Sequence, residues 1–161
     1  MLRAKVQIEG YASSAWKDTF DEFGLVYLDS DKRVGSDIRP LESISYPETP
    51  GEYVLPKTVP AAFDYKIKFF IQADSTDNAN KKIKTFNSKL YTTASGSSVR
   101  TYRKVKFRNL YKRHEIVGYP QEIALATDFW RDKSNQVNDV VIVEWTIRVT
   151  EPQNCNFNYT E

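Results

Sequence analysis

Thiols are almost missing from this chain of 161 residues: Cys155 is the single cysteine, so no internal disulfide and no cysteine-based metal site can form. That usage suits a reducing compartment. Histidine is equally scarce. His114 stands alone between Arg113 and Glu115, and hydrolytic triads need a base that titrates near neutrality. The adjacent cation discourages its protonation, so a surface or strand-edge histidine is the expectation. No serine sits in a G-x-S-x-G elbow, and no glycine-rich phosphate loop is present among only six glycines. Long apolar runs are also lacking. The longest span four residues, as at 140–143, and Arg3 and Lys5 near the N-terminus are not followed by an apolar stretch. Neither a membrane span nor a signal peptide is expected.

Acids are plentiful but lack the spacing that binds metal. Asp18, Asp21 and Glu22, or Asp29 and Asp31, are spaced loosely like calcium-loop ligands without the glycine and terminal glutamate such loops require. Paired carboxylates for acid–base work can meet only in the fold, and here most acids fall at alternate strand positions or in turns, where solvation explains them. No catalytic residue, metal ligand or cofactor is therefore expected, and the chain is read as a non-enzyme.

What is present is β-forming material. Hydrophobic residues make up 40% and aromatics 14%, with ten Tyr and nine Phe, a composition that favours strands over disorder. The length fits one domain. Net charge is +2 but polarised: residues 1–80 carry 9 Lys or Arg against 13 Asp or Glu, and residues 81–161 carry 14 against 8. Opposite signs in the two halves suit copies meeting head to tail, or simply mark where the basic helix and strands fall.

Period-two patterning is clearest over residues 63–71, where Phe63, Tyr65, Ile67, Phe69 and Ile71 alternate with Asp64, Lys66 and Lys68. One face is buried and one is wet. Residues 140–150 repeat the pattern, with Val141, Val143, Trp145, Ile147 and Val149 opposed to Glu144, Thr146 and Arg148. Shorter strands are expected at 4–8, 23–29, 99–107 and 115–119. A helix is expected at 76–91, since Ala79, Ile83, Phe86 and Leu90 form one stripe and Asp74 or Ser75 can cap it. Five of the seven prolines, at 40, 47, 50, 56 and 60, fall in 30–60. Each removes a ladder donor, so this stretch reads as an extended arm or long hairpin turning at Pro50-Gly51. Residues 152–161 read as a tail. The sum is a mainly β (α+β) fold, an antiparallel β-sandwich or split barrel with one amphipathic helix packed on the sheet.

Two stretches are candidates for function. Tyr46, Pro47, Pro50, Tyr53 and Leu55 in the arm are the candidates for subunit contact, with Tyr46 and Tyr53 as rigid amphipathic anchors of the kind interfaces favour; the alternative is an arm that folds back over its own core. Arg100, Arg103, Lys104, Lys106, Arg108, Lys112 and Arg113 form a run of cations without an acid, interleaved with Tyr102, Phe107 and Tyr111. Such a run could bind phosphates and stack bases. A half-exposed strand, with Arg100, Lys104, Lys106 and Arg108 on its even face and Val99, Val105 and Phe107 on its odd face, explains the same residues. A solvated or subunit-facing role is the favoured reading and nucleic acid the alternative.

The order of these motifs resembles the N-terminal domain of phage distal tail proteins, the ring-forming baseplate components of long-tailed phages, and more loosely the tail-tube fold. The likeness spans about 23–152: "FGLVYLD", an arm reaching "YPETPGEY", "FDYKIKFFI", the helix "DNANKKIKTFNSKLY", "YRKVKF", "HEIVGYP" and "VVIVEWTIRVTEP". The chain ends near residue 161, so the resemblance reaches the ring-forming part and not the larger C-terminal module of many relatives. It implies a virion tail protein of phage or prophage origin, made in the bacterial cytoplasm. The partners it implies are copies of itself in a ring and other tail proteins such as tube or hub, with no membrane.

Overall fold

The computed structural model describes residues 3–160 apart from 34, 36, 39–40, 46, 49, 55–58, 126–129 and 132–138. Alternating side chains build most of it. Nine strands join one sheet: β1 (Lys5–Ile8), β2 (Lys17–Asp18), β3 (Val26–Ser30), β4 (Phe63–Ala73), β5 (Val105–Asn109), β6 (His114–Pro120), β7 (Ala124–Leu125), β8 (Trp130–Arg131) and β9 (Asp139–Val149). They run β2-β1-β5-β6-β9-β4-β3, with β7 and β8 also paired to β9. All these pairings are antiparallel. The fold is mostly β, as the patterning predicts, and no closed barrel forms among the described residues.

The spine is β4 on β9, in register from Asp139 opposite Ala73 to Val149 opposite Phe63. Tyr65, Ile67, Phe69, Ile71, Val141, Val143, Trp145 and Ile147 are fully buried from these two strands alone. The sheet then turns a corner in β6. Residues His114 to Gly118 pair with β5, whereas only Tyr119 and Pro120 pair with β9. At the corner a Cβ on Gly118 would stand 2.4 Å from the Arg148 carbonyl oxygen and 2.8 Å from Ile147 Cγ2, so only glycine allows the two strands to close up. Beyond it the sheet folds over itself. The Phe107 ring of β5 lies 6.3 Å from Tyr27 of β3 and 6.3 Å from Phe69 of β4, so the core is shared between two facing halves.

Helix α2 (Thr76–Lys89) covers this core, and its Ser75 cap accepts from the Asn78 amide at 3.3 Å. Ala79, Phe86 and Leu90 are buried as the stripe predicts, with Phe86 edge-on to Trp145 at 5.1 Å. The expected strand at 23–29 starts later. A short helix α1 (Thr19–Phe23), capped by Asp18, takes Phe23, and Gly24 at φ +70 stops it before β3 begins. The expected strand at 99–107 is broken in two. Arg100–Tyr102 pairs with Tyr91–Thr93, the Arg103 amide donates to the Leu90 carbonyl, and β5 begins only at Val105. Val99 accordingly lies 70% exposed, off the buried face assigned to it by parity.

The last residues run back along the body. Glu115 and Asn156 exchange backbone hydrogen bonds, Pro152 is buried, and the Phe157 ring sits 6.1 Å from Phe63 and 5.4 Å from His114. They fill the split that opens where β6 parts from β9.

Candidate functional site

The prolines at 30–60 forbid a central strand but permit a thin ribbon, and a ribbon forms. Asp37–Ile38 pairs with Pro60–Ala61, and farther out Ser43–Ser45 pairs with Glu52–Val54. Gly51 has φ +90, the positive value that a Pro-Gly turn demands of its glycine. Pro47 and Pro50 lie exposed at this reversal, and Tyr53 is placed opposite Ile44 across the ladder. Tyr46 and Leu55 lie outside the described residues. The ribbon exposes Leu41 (53%), Ile44 (43%), Val54 (51%) and Val59 (52%). Residues 41–54 carry Glu42, Glu48 and Glu52 and no Lys or Arg.

The run of cations does not form one track. Arg100 pairs with Glu122 and lies over Tyr91 at 4.4 Å. Lys104 is 3.9 Å from Glu151, and Lys112 pairs with Asp29. Arg108 holds Glu115 at 2.7 Å and is sandwiched between Trp16 at 3.8 Å and Tyr159 at 4.7 Å. Arg103 is half-buried beside Gly10, and Lys106 is exposed on the outer face of β5. Arg113 donates through Nε to the Tyr159 carbonyl at 3.4 Å. Four of the seven thus already hold acids. The interleaved aromatics are committed too: Phe107 is core, Tyr102 packs edge-on to Tyr91, and Tyr111 stacks on Tyr27. A nucleic-acid track needs free cations and free ring faces in series, and the geometry favours the paired, solvated face instead.

The root of the arm rests on a buried polar network that residue types alone did not flag. His114 is 2% exposed, not at the surface as expected. Its Nε2 lies 2.8 Å from the Arg33 carbonyl and its Nδ1 2.7 Å from the Tyr65 hydroxyl. A carbonyl can only accept, so the neutral ring carries its proton on Nε2 and Nδ1 accepts from Tyr65. The Tyr65 oxygen is also 2.9 Å from Ser30 Oγ, which is 2.9 Å from the Tyr27 hydroxyl, and Asn109 Nδ2 donates to both Tyr27 and Ser30. Burial pushes the His114 pKa down, aided by Lys112 and Arg33 and opposed by the Arg33 carbonyl and by Asp31. Burial likewise pushes the Tyr65 and Tyr27 hydroxyls up. Every member has a hydrogen-bonding partner within the network, which suits a structural strut. Strand parity was the available signal: His114 shares the face of Ile116, and Asn109 that of Val105 and Phe107. An open cleft of about 420 Å³ beside it is lined by Lys32, Arg33, Lys112 and His114. Among the described residues no group of three His, Cys, Asp or Glu side chains could hold a metal ion.

No family model matches the chain, and no curated protein matches it. Among solved structures it is similar to SPP1 Dit (gp 19.1), described as a paradigm of the hub adsorption apparatus in phages that infect Gram-positive hosts. The TM-score is 0.57 at 10% identity, over 92% of this chain. The chain spans half the length of that protein, and at this identity the likeness is one of fold.

Proposed function

We propose that this protein is a structural component of a phage or prophage tail that works by assembling with copies of itself and with neighbouring tail proteins. The proline-rich arm supplies the contact between copies, through Tyr46, Pro47, Pro50, Tyr53 and Leu55. The observation that carries the reading is the arm itself: a ribbon that leaves Leu41, Ile44, Val54 and Val59 exposed and whose residues 41–54 hold three glutamates and no Lys or Arg. Exposed apolar residues gathered on one ribbon signal a partner. The fold shared with a phage hub protein supports placing that partner in a tail, and a ring closed by rotation satisfies every arm with one acceptor per copy. Deleting residues 48–57 and measuring mass in solution by light scattering tests the reading. The deletant is expected to lose its oligomer while keeping its β spectrum; an oligomer of unchanged mass would refute the arm as the assembling element.

A further inference from the structure

We propose that the turn joining β5 to β6, residues 110–113, is the socket that receives the 41–54 hairpin from a second copy of this chain. The inference rests on the assembly reading above and adds the receiving surface to it.

The turn is built to be held still and left uncovered. Asn109 Oδ1 accepts from the Tyr111 amide at 2.9 Å, and Arg113 occupies the left-handed region at φ +57, a conformation that non-glycine residues adopt only under constraint. Tyr111 stacks on Tyr27 with planes 7° apart, yet it remains 58% exposed, and Leu110 beside it is 44% exposed. A fixed tyrosine with an open edge loses little rotamer freedom on binding, which is what makes such residues anchors. Other exposed apolar residues of the body, such as Val99, Tyr119 and Leu125, stand apart in sequence, and the arginine beside Val99 is engaged by Glu122. Among the described residues of the body, the turn joins two adjacent exposed apolar side chains to a guanidinium, Arg113, that has no acid partner there.

The hairpin complements it: exposed Ile44 and Val54 beside Glu42, Glu48 and Glu52, against Leu110 and Tyr111 beside Arg113. Both sets are open within one chain, so neither is covering the other there. Placement agrees as well. The arm leaves the body where the Arg33 guanidinium lies 4.0 Å over Phe63 and the Arg33 carbonyl meets His114, and Lys112 of the turn is bonded to Asp29 and the Ser30 carbonyl at the same end. In a ring related by rotation alone, each copy gives one patch and receives at another, so the two patches must be distinct surfaces of one chain.

Disulfide trapping on the full chain, with Cys155→Ser as background, tests the pairing. Ser45→Cys and Leu110→Cys are made as separate proteins and mixed under oxidation. A mixed disulfide between the two chains is expected, at least tenfold over either homodimer, and Arg113→Glu should weaken self-association about tenfold, with Glu52→Arg restoring it. Self-association without the mixed disulfide overturns the socket while leaving the arm reading intact. A monomer at roughly 1 mM overturns both. A chain carrying both cysteines that closes only on itself overturns the socket by showing that the hairpin docks at home.

Discussion

At the residue scale, His114 and Gly118 lie four positions apart on one strand and meet opposite demands. His114 is kept neutral by burial among Tyr65, Phe157 and the Arg33 carbonyl, with Lys112 and Arg33 adding repulsion against a second proton. Its folded pKa lies below the unfolded value of about 6.5, so the unfolded chain binds the proton first. Stability is therefore complete above that value and falls as pH drops through it toward the folded pKa, by at most about 1.4 kcal/mol per pH unit. Thermal unfolding scanned from pH 7.5 to 5 should show the loss, and His114→Phe, less stable throughout, should flatten it. Gly118 is constrained by space instead. Its missing side chain leaves room for the Arg148 carbonyl, and Gly118→Ala should cost about 3 kcal/mol by forcing β6 away from β9. A urea midpoint close to that of the parent would mean the corner yields freely.

Among the elements, those with long alternation were legible before any coordinates: β4, β9 and α2 lie within a residue or two of their expected ranges because each buries one face along its whole length. Short pieces were not. The run 23–29 looks like a strand until the Asp18 cap and the left-handed Gly24 are set beside it, and those local hydrogen bonds outweigh the β preference of Phe23. The break at Arg103 depends on a hydrogen bond to Leu90, a long-range event that periodicity cannot register. The arm was visible as a proline cluster and its ribbon form from Pro50-Gly51, but which side chains it leaves in water is a matter of packing. For α2, whose Ser75 hydroxyl meets the Asn78 amide, Ser75→Ala should lower stability by about 1 kcal/mol in chemical denaturation. Asp74 cannot substitute, since the observed cap places Ser75 at the required extended backbone.

Over the whole molecule, the sign difference between the two halves of the sequence becomes a spatial arrangement. The arm, drawn from the acidic half, carries three glutamates on residues 41–54, while cations of the basic half with no acid partner among the described residues, such as Lys106 and Arg113, sit on the folded body. Many other charges are consumed internally, as in Arg108 with Glu115 and Arg148 with Asp64. The exposed Arg148–Asp64 pair contributes little to stability. Attraction between an acidic arm and a basic body differs from such pairs because it acts between molecules, over distances where salt screens it: the Debye length shrinks from about 10 Å at 0.1 M to about 3 Å at 1 M. Self-association measured by sedimentation should weaken as salt rises from 0.05 to 0.5 M, while the unfolding midpoint of the separate chain stays nearly constant. If assembly instead strengthens with salt, apolar contacts of Ile44, Val54, Leu110 and Tyr111 dominate and the charges serve only to orient the approach.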